Sequence, residues 1–350
     1  MNRIIFYILF ILGIESMVAQ TASTLADVNT LAYGLSYDQD NLFVSSTFSS
    51  DVFRINLSSS TTVQEFDIYN GPTQHQQRGI CKYGDYILLS RYSQNKIVRF
   101  APTSTPFVIE DVVTATQPNG LAVWNNNLYI SSNNKILLVN LNMVNPTTTE
   151  IATVSPVTAF GTGTIGLKIY NNFLYVAENT GIYKINLSSG NYEKVLVTNF
   201  TGSSFVFGND PNILYLTSGT NEIYQVNLLT QTITTLVVLN QFIFPNTLDI
   251  IFAENKLYFT CIESNNIGVI EIALDIKEFK PVVSIFPNPT NSMIYLNADN
   301  VKQAIVFNSA GQQISIVKVQ NNSIDLSQFE TGIYYLKIDE AIEAIKVIKN

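Results

Sequence analysis

A short apolar motif recurs six times in this chain of 350 residues, and its spacing constrains the fold more than any other feature. The intervals between successive copies are 45, 41, 46, 40 and 43 residues. The copies are Leu42-Phe43, Ile87-Leu88, Leu128-Tyr129, Leu174-Tyr175, Leu214-Tyr215 and Leu257-Tyr258. A segment with alternating apolar residues follows in most copies, for example Leu137, Val139 and Leu141. Alternation of this kind is the pattern of a half-buried β-strand.

A period in the low forties with about four strand-like segments is typical of the blades of a β-propeller. We therefore predict an all-β fold in which residues 20–275 form a six-bladed β-propeller. The residue eight positions before each motif supports this, because glycine fits an inner strand where the backbones of neighbouring blades converge. The residues at this position are Gly34, Gly79, Gly120 and Gly166 in the first four copies and Val206 and Asp249 in the last two.

The two ends of the repeat region are complementary. The sixth copy has only three strand-like segments, the last of which covers residues 268–274. Residues 23–28, before the first copy, are strand-like and have no partner in their own repeat. Pairing these two segments closes the ring and removes an open sheet edge, so we predict that residues 23–28 form the outer strand of blade six.

The termini carry different signals. Arg3, the apolar residues 4–14 and the sequence Met17-Val18-Ala19 predict an N-terminal signal peptide over residues 1–19. Residues 276–280 are charged and predict a linker. In residues 281–350, prolines and glycines separate alternating strands, which predicts a small Ig-like antiparallel β-sandwich.

Composition narrows the functional classes. The net charge is −8, and only 13% of the residues are charged. An acidic chain lacks the basic surface that nucleic-acid binding needs, so no nucleic-acid partner is predicted. After the signal peptide no stretch is long and apolar enough to predict a transmembrane helix. The two cysteines, Cys81 and Cys261, fall in non-neighbouring blades and are predicted to be free thiols.

The sequence P-N-G-L-A-V-W-N-N-N-L-Y-I-S-S at residues 118–132 resembles an NHL-type repeat. More broadly, residues 21–275 are similar to the six-bladed group that contains gluconolactonases and strictosidine-synthase-like proteins. The resemblance implies a propeller that binds a partner, or in the lactonase branch a divalent metal held by Glu, Asn and Asp side chains at one end of the central channel. It indicates architecture more strongly than activity.

The C-terminal residues 281–350 closely resemble the type A sorting domain of cargo of the type IX secretion system of Bacteroidetes. The motifs occur in order: S-I-F-P-N-P-T at 284–290, V-F-N-S-A-G-Q at 306–312, I-D-L-S-Q-F-E-T-G-I-Y-Y-L-K-I at 324–338 and K-V-I-K at 346–349. Asn291-Ser292 departs from a glycine that many members carry. The resemblance implies that residues 281–350 engage the type IX secretion machinery. The protein is then secreted or displayed on the outer-membrane surface after passage through the periplasm.

Polar residues in the predicted loops at one end of the propeller are candidates for ligand binding. They are His75, Arg78, Arg91, Tyr92, Asn119, Glu178 and Asp249. Each also has a structural explanation: Asn119 as a turn residue, Glu178 in blade packing, and His75, the only histidine, as a solvated side chain. Aromatic residues in the same loops, Phe48, Phe160, Phe200 and Phe242 with Tyr92, suit sugar stacking or a protein partner.

Two functions remain open at this point. The first is an exported propeller that binds a surface protein or a glycan and needs no cofactor. The alternative is a lactonase-like hydrolase that uses Asn119, Glu178 and Asp249 to hold calcium or another divalent cation. With a single histidine, neither a His-rich zinc site nor a Ser-His-Asp triad has a clear basis in the sequence. We favour the binding module because acidic residues are scarce in the predicted loops.

Overall fold

The computed structural model describes residues 20–49, 51–58, 63–68, 76–104, 106, 108–155, 166–272, 285–297, 301–338 and 344–350. It divides the chain into two compact units, Met1–Ala273 and Leu274–Asn350. Apart from one 3-10 turn, Tyr92–Gln94, all regular secondary structure in these ranges is β-strand, and none of it is a helix that could cross a membrane. The predicted signal peptide, residues 1–19, and linker, residues 276–280, lie outside the described residues.

Six four-stranded antiparallel sheets form the first unit. The inner strands are β2 (Ala32–Asp38), β6 (Gln77–Tyr83), β10 (Pro118–Trp124), β14 (Leu167–Tyr170), β18 (Ser204–Phe207) and β22 (Thr247–Ala253). The second strands are β3 (Asn41–Ser46), β7 (Tyr86–Arg91), β11 (Asn127–Ser132), β15 (Phe173–Glu178), β19 (Ile213–Thr217) and β23 (Lys256–Cys261). The third strands are β4 (Val52–Asn56), β8 (Lys96–Phe100), β12 (Lys135–Asn140), β16 (Gly181–Asn186), β20 (Glu222–Asn227) and β24 (Asn266–Glu271).

The outer strands are β5 (Val63–Phe66), β9 (Glu110–Thr114), β13 (Thr148–Thr153), β17 (Lys194–Thr198), β21 (Thr232–Val238) and, in blade six, β1 (Ala22–Asp27). The inner strands contact one another in cyclic order, from β2 through β6, β10, β14, β18 and β22 back to β2. The predicted six-bladed propeller is therefore confirmed.

The ring closes as predicted, with an N-terminal strand on the last blade. β1 pairs antiparallel with β24, so that Ala22 lies opposite Ile270 and Asp27 opposite Asn266. The ladder continues through the Val28 amide, which donates to the carbonyl of Asn265 at 3.1 Å. This pairing satisfies backbone groups that an open edge would expose.

Blade five differs from the repeat alignment by two residues. In blades one, three, four and six the turn between the inner and second strands has two residues with positive φ, such as Asn125 and Asn126. Both residues of a type I′ hairpin turn need that conformation. In blade five Phe207 pairs with Leu214 across a longer connection, so Ser204, not Val206, occupies the glycine position. The assignment of Val206 from spacing was wrong because spacing does not reveal turn length.

The inner-strand glycines lie against the next blade. A Cβ added to Gly34 would lie 2.3 Å from the carbonyl oxygen of Arg78, and one added to Gly79 would lie 2.0 Å from that of Asn119. Both distances are far inside van der Waals contact. The close approach of inner strands that the repeat predicted therefore excludes any side chain at Gly34 and Gly79.

A hydroxyl on the second strand links each of several inner strands to the following blade. The Gly79 amide donates to Ser90 Oγ at 2.7 Å, and Ser90 Oγ donates to the Asn119 carbonyl of blade three at 2.8 Å. Ser45, Thr217 and Thr260 make the same pair of bonds, and Ser131 accepts from Gly120. Blade four has Ala177 at this position and lacks the hydroxyl.

The second unit is a small β-sandwich of two antiparallel sheets, as predicted. One sheet contains β25 (Ile285–Phe286), β26 (Met293–Leu296) and β29 (Ser323–Asp325). The other has the order β28 (Gln313–Lys318), β27 (Gln303–Phe307), β30 (Gly332–Ile338) and β31 (Ile345–Lys349). Ile294, Val306 and Leu336 are fully buried between the sheets and form its own hydrophobic core.

Blade one contains a buried acid that the sequence did not single out. Asp51 lies just before β4 and is only 7% exposed. The pKa of Asp51 is raised to about 6, chiefly by burial; a hydrogen bond with Ser49 opposes the rise, and the charges of Glu65 and Asp67 add to it. The pKa of Asp51 is higher in the folded state than in the unfolded state, so protonation of this carboxyl group stabilises the folded protein.

We expect Thr217→Val to lower the free energy of unfolding by about 2 kcal/mol, because the Ser204 amide and the Leu248 carbonyl lose a buried partner. Thr234→Val, an exposed change on β21, is the matched control. The reverse change, Ala177→Ser, supplies the missing hydroxyl and should stabilise the protein by about 1 kcal/mol. Chemical denaturation measures all three. Equal effects of Thr217→Val and Thr234→Val would contradict the role of this hydroxyl.

The Asp51 contribution to stability is present below pH 4 and is lost as the pH rises from about 4 to about 6. The loss is on the order of 3 kcal/mol at most, since one pKa unit is about 1.4 kcal/mol. Asp51→Asn should flatten this part of the stability curve and raise the melting temperature at pH 7.5. Thermal unfolding across pH 4 to 7.5 measures it, with exposed Asp85→Asn as control. An unchanged slope in Asp51→Asn would refute the assignment.

Candidate functional site

The two ends of the propeller present different groups. We call the end where inner strands begin and second strands end the loop face, and the opposite end of the central channel the channel mouth. Chain direction places the sequence-predicted residues Arg78, Arg91, Tyr92, Asn119 and Glu178 at or near the loop face. His75 belongs to the same predicted set but lies outside the described residues.

Arg78 and Tyr92 form a stacked pair in blade two. The guanidinium carbon of Arg78 lies 3.4 Å from the ring centroid of Tyr92 and 5.5 Å from that of Tyr33 on blade one. Arg78 and Tyr33 are buried, whereas Tyr92 is half-buried. A guanidinium between two aromatic rings is held by cation–π attraction, so Tyr92 is presented at the surface on a fixed support.

Arg91 and Glu178 hold the connections between blades. Arg91 Nη2 donates to the Ile68 carbonyl at the end of blade one, at 2.9 Å, and burial lowers the pKa of Arg91. Glu178, at the equivalent position of blade four, accepts from the Ser155 amide of blade three at 3.0 Å and from Lys194 Nζ at 2.6 Å. The blade-packing interpretation of Glu178 therefore agrees with its contacts.

Asn119 lies at the start of the inner strand of blade three and is 1% exposed. Its carbonyl accepts the hydrogen bond from Ser90 and so belongs to the chain of hydroxyl contacts between blades. In this position the P-N-G sequence brings the backbone of blade three against blade two.

Asp249 joins four blades inside the channel. Its Oδ1 accepts from Lys168 Nζ of blade four at 3.1 Å, from Ser204 Oγ of blade five at 2.7 Å and from the Ile250 amide at 2.9 Å. Its Oδ2 accepts from the Leu35 amide of blade one at 2.8 Å. Because four donors surround it, one of them the cation of Lys168, this buried carboxylate is compensated by the protein itself.

The three residues of the metal hypothesis belong to three blades and have separate environments. Glu178 is paired with Lys194, Asp249 with Lys168, and Asn119 is buried at a blade junction. Within the described ranges, no group of three or more His, Cys, Asp or Glu side chains is placed to hold a metal ion.

The loop aromatics divide into exposed and packed side chains. Phe48 is 55% exposed and Phe242 is 89% exposed. Phe200 is half-buried and packs against the core of blades four and five, and Phe160 lies outside the described residues. Phe48 follows the end of β3 in blade one, and Phe242 lies before the start of β22 in blade six. Both side chains are therefore at the loop face, on adjacent blades.

A cavity of about 310 Å³ opens at the channel mouth. Its wall includes Ser36, Cys81, Ala122 and Lys168, which follow the glycine position by two residues on four inner strands. Both cysteines are free thiols, as predicted, and burial raises the pKa of Cys81 to about 12. Sequence reasoning missed Lys168. The signal was present, because a lysine on the inner strand of a propeller must point toward a neighbouring blade or into the channel.

Comparisons with known proteins agree with this architecture. Residues 284–350 match the family described as "Secretion system C-terminal sorting domain". No curated protein matches the chain.

Solved structures resemble the propeller at low sequence identity, which shows the fold alone. A protein of unknown function from Bacteroides thetaiotaomicron has 12% identity and a TM-score of 0.57, covering 72% of this chain and 76% of its own. A gluconolactonase from Xanthomonas campestris has 13% identity and a TM-score of 0.56, covering 72% and 89%. Virginiamycin B lyase from Staphylococcus aureus has 16% identity and a TM-score of 0.51, covering 72% and 99%.

The sorting domain confirms the predicted localisation and one of the predicted partners in outline. The matched residues lie at the C-terminal end of the chain, in the second unit, which is the β-sandwich. The protein is therefore a six-bladed β-propeller with a C-terminal sorting domain that marks it for export through the type IX secretion system to the cell surface or the medium.

Proposed function

We propose that the exported propeller is a binding module whose loop face engages a surface protein or a glycan. The observation that carries this proposal is the pair of exposed aromatic side chains, Phe48 and Phe242, on adjacent blades of one face. Aromatic residues are enriched where partners bind, because they bring a large apolar area to the contact.

The turn that carries Phe242 is well anchored. Asn240 Oδ1 accepts from the Phe242 amide at 3.0 Å, and the Asn240 carbonyl accepts from the Phe244 amide at 2.8 Å. Phe244 is buried, with its ring centroid 5.1 Å from that of Phe259. The turn therefore buries one phenylalanine and presents the other, and a side chain held in this way loses little freedom on binding.

The loop that carries Phe48 is anchored by Ser46. Ser46 Oγ accepts from the amides of Phe48 and Ser49, at 3.3 and 3.2 Å, and it also contacts the Thr30 hydroxyl at 3.0 Å. Tyr92, on its Arg78 support, adds a third aromatic group from blade two. The loop face of blades six, one and two thus carries aromatic side chains on short, hydrogen-bonded supports.

The contacts of the acidic residues favour binding over a metal-dependent reaction. A cation ligand needs carboxylate oxygens that are available to the ion. Asp249 and Glu178 instead accept from backbone amides and lysines. The lactonase-like hydrolase is kept as the alternative hypothesis.

Phe48→Ala combined with Phe242→Ala should weaken binding about tenfold or more, since truncating one central aromatic contact costs about 1 to 2 kcal/mol. Binding of the mature full-length protein is measured on a glycan array and by cross-linking on the producing cells, which separates glycan from protein partners. Leu229→Ala is the matched control, because Leu229 is 75% exposed in a turn at the opposite end. Equal loss in the control, or no loss in the double variant, argues against the loop face.

Millimolar calcium should leave the melting temperature unchanged, because the carboxylates of Asp249 and Glu178 already have protein donors. A ligand that binds only the folded state raises its stability. A calcium-dependent rise that Asp249→Asn abolishes would support the hydrolase, with Asp85→Asn as the control for a general effect of lost charge.

A further inference from the structure

We propose that the cavity at the channel mouth is a second binding site, for a neutral polyol of about monosaccharide size, with Lys168 as its principal donor. The site is separate from the loop face, and its failure would leave the proposed loop-face function intact. Its volume of about 310 Å³ lies at the lower end of the range for small-molecule pockets, which begins near 300 Å³.

The residues that line the cavity at this level differ in size from blade to blade. Blades one, two and three contribute small residues: Ser36, Cys81 and Ala122. On the other side, Lys168 of blade four and Ile251 of blade six line the wall. Cys81 and Ala122 also pack in the hydrophobic clusters between blades, so small residues form this part of the wall and Lys168 is its long polar side chain.

Lys168 has hydrogen-bonding capacity that the protein does not use. Its side chain is 20% exposed, and within the described part of the chain its one acceptor is Asp249 Oδ1. An ammonium group carries three N–H donors, so two remain for the cavity. Asp249 already accepts from Ser204, Ile250 and Leu35, so it has little capacity for a ligand. The ligand must therefore bring oxygen acceptors to Lys168.

The balance of charge indicates a neutral ligand. Lys168 is paired with Asp249, and Lys82, the other lysine of the wall, is paired with Asp38 at 2.6 Å. An added anion would meet two cations that are already compensated, in a protein with a net charge of −8. Hydroxyl groups accept as well as donate, so they suit Lys168 and the Ser36 hydroxyl, and the C–H surfaces of a polyol suit Ile169 and Ile251.

The test uses the mature full-length protein with D-glucose, D-galactose and D-mannose as probes, measured by isothermal titration calorimetry and saturation-transfer NMR. We expect at least one sugar to bind, and Lys168→Met to weaken that binding about tenfold or more, the usual effect of losing a hydrogen bond to a charged group. Ser36→Leu fills the cavity without removing a donor to Asp249 and should abolish binding. Lys135→Met, in a surface ion pair with Glu150, is the matched control and should bind as the unmodified protein does.

Three outcomes would overturn the proposal. They are no binding of any of the three sugars, unchanged binding in Ser36→Leu, and loss of binding in Phe48→Ala with Phe242→Ala, which would place the sugar on the loop face. If Lys168→Met fails to fold because Asp249 loses its cation, Ser36→Leu decides alone, since the side chain of Ser36 is not among the described donors to Asp249.

Discussion

The carboxylate of Asp249 holds the inner ring of the propeller together where the repeated contacts are weakest. At the junction between blades four and five, Ala177 supplies no hydroxyl to the neighbouring backbone. Lys168 of blade four instead reaches Asp249 of blade six, and Ser204 of blade five donates to the same oxygen. The other carboxylate oxygen accepts from Leu35 of blade one, across the junction between the two ends of the repeat region. One side chain thus joins four blades, and it stands at the position that glycine occupies in the first four repeats.

The architecture could be predicted from the sequence because every blade must meet the same structural requirements. Inner strands must approach closely, so Gly34 and Gly79 recur, and the missing strand of blade six predicted the pairing of β1 with β24. The prediction from repeat spacing failed where the repeats differ in the length of a turn. The longer connection of blade five shifted Ser204 into the position that spacing assigned to Val206. Counting from one anchor cannot detect such an insertion.

The candidate site was harder to predict, since the residue types of a binding site are also those that join blades. Arg91 and Glu178 occupy equivalent strand ends, and both point back to the preceding blade. Sequence places them at the loop face but does not give the direction of their side chains. The exposed aromatics were easier to identify, because Phe48 and Phe242 fall outside the alternation of the strands and have no core position to fill.

The small number of charged residues in this chain limits the kinds of contact that the propeller can offer to a partner. Only 13% of its residues are charged, and buried ones such as Arg91, Glu178 and Asp249 are engaged in contacts between blades. If the loop face binds a partner as proposed, its side chains Phe48, Tyr92 and Phe242 offer chiefly apolar and stacking contacts, which salt screens little. Electrostatic steering would require a concentrated patch of one sign, and the inner strands already pair Lys168 with Asp249 and Lys82 with Asp38. The proposed recognition of a partner at the loop face therefore rests on the shape and position of the loops rather than on charge.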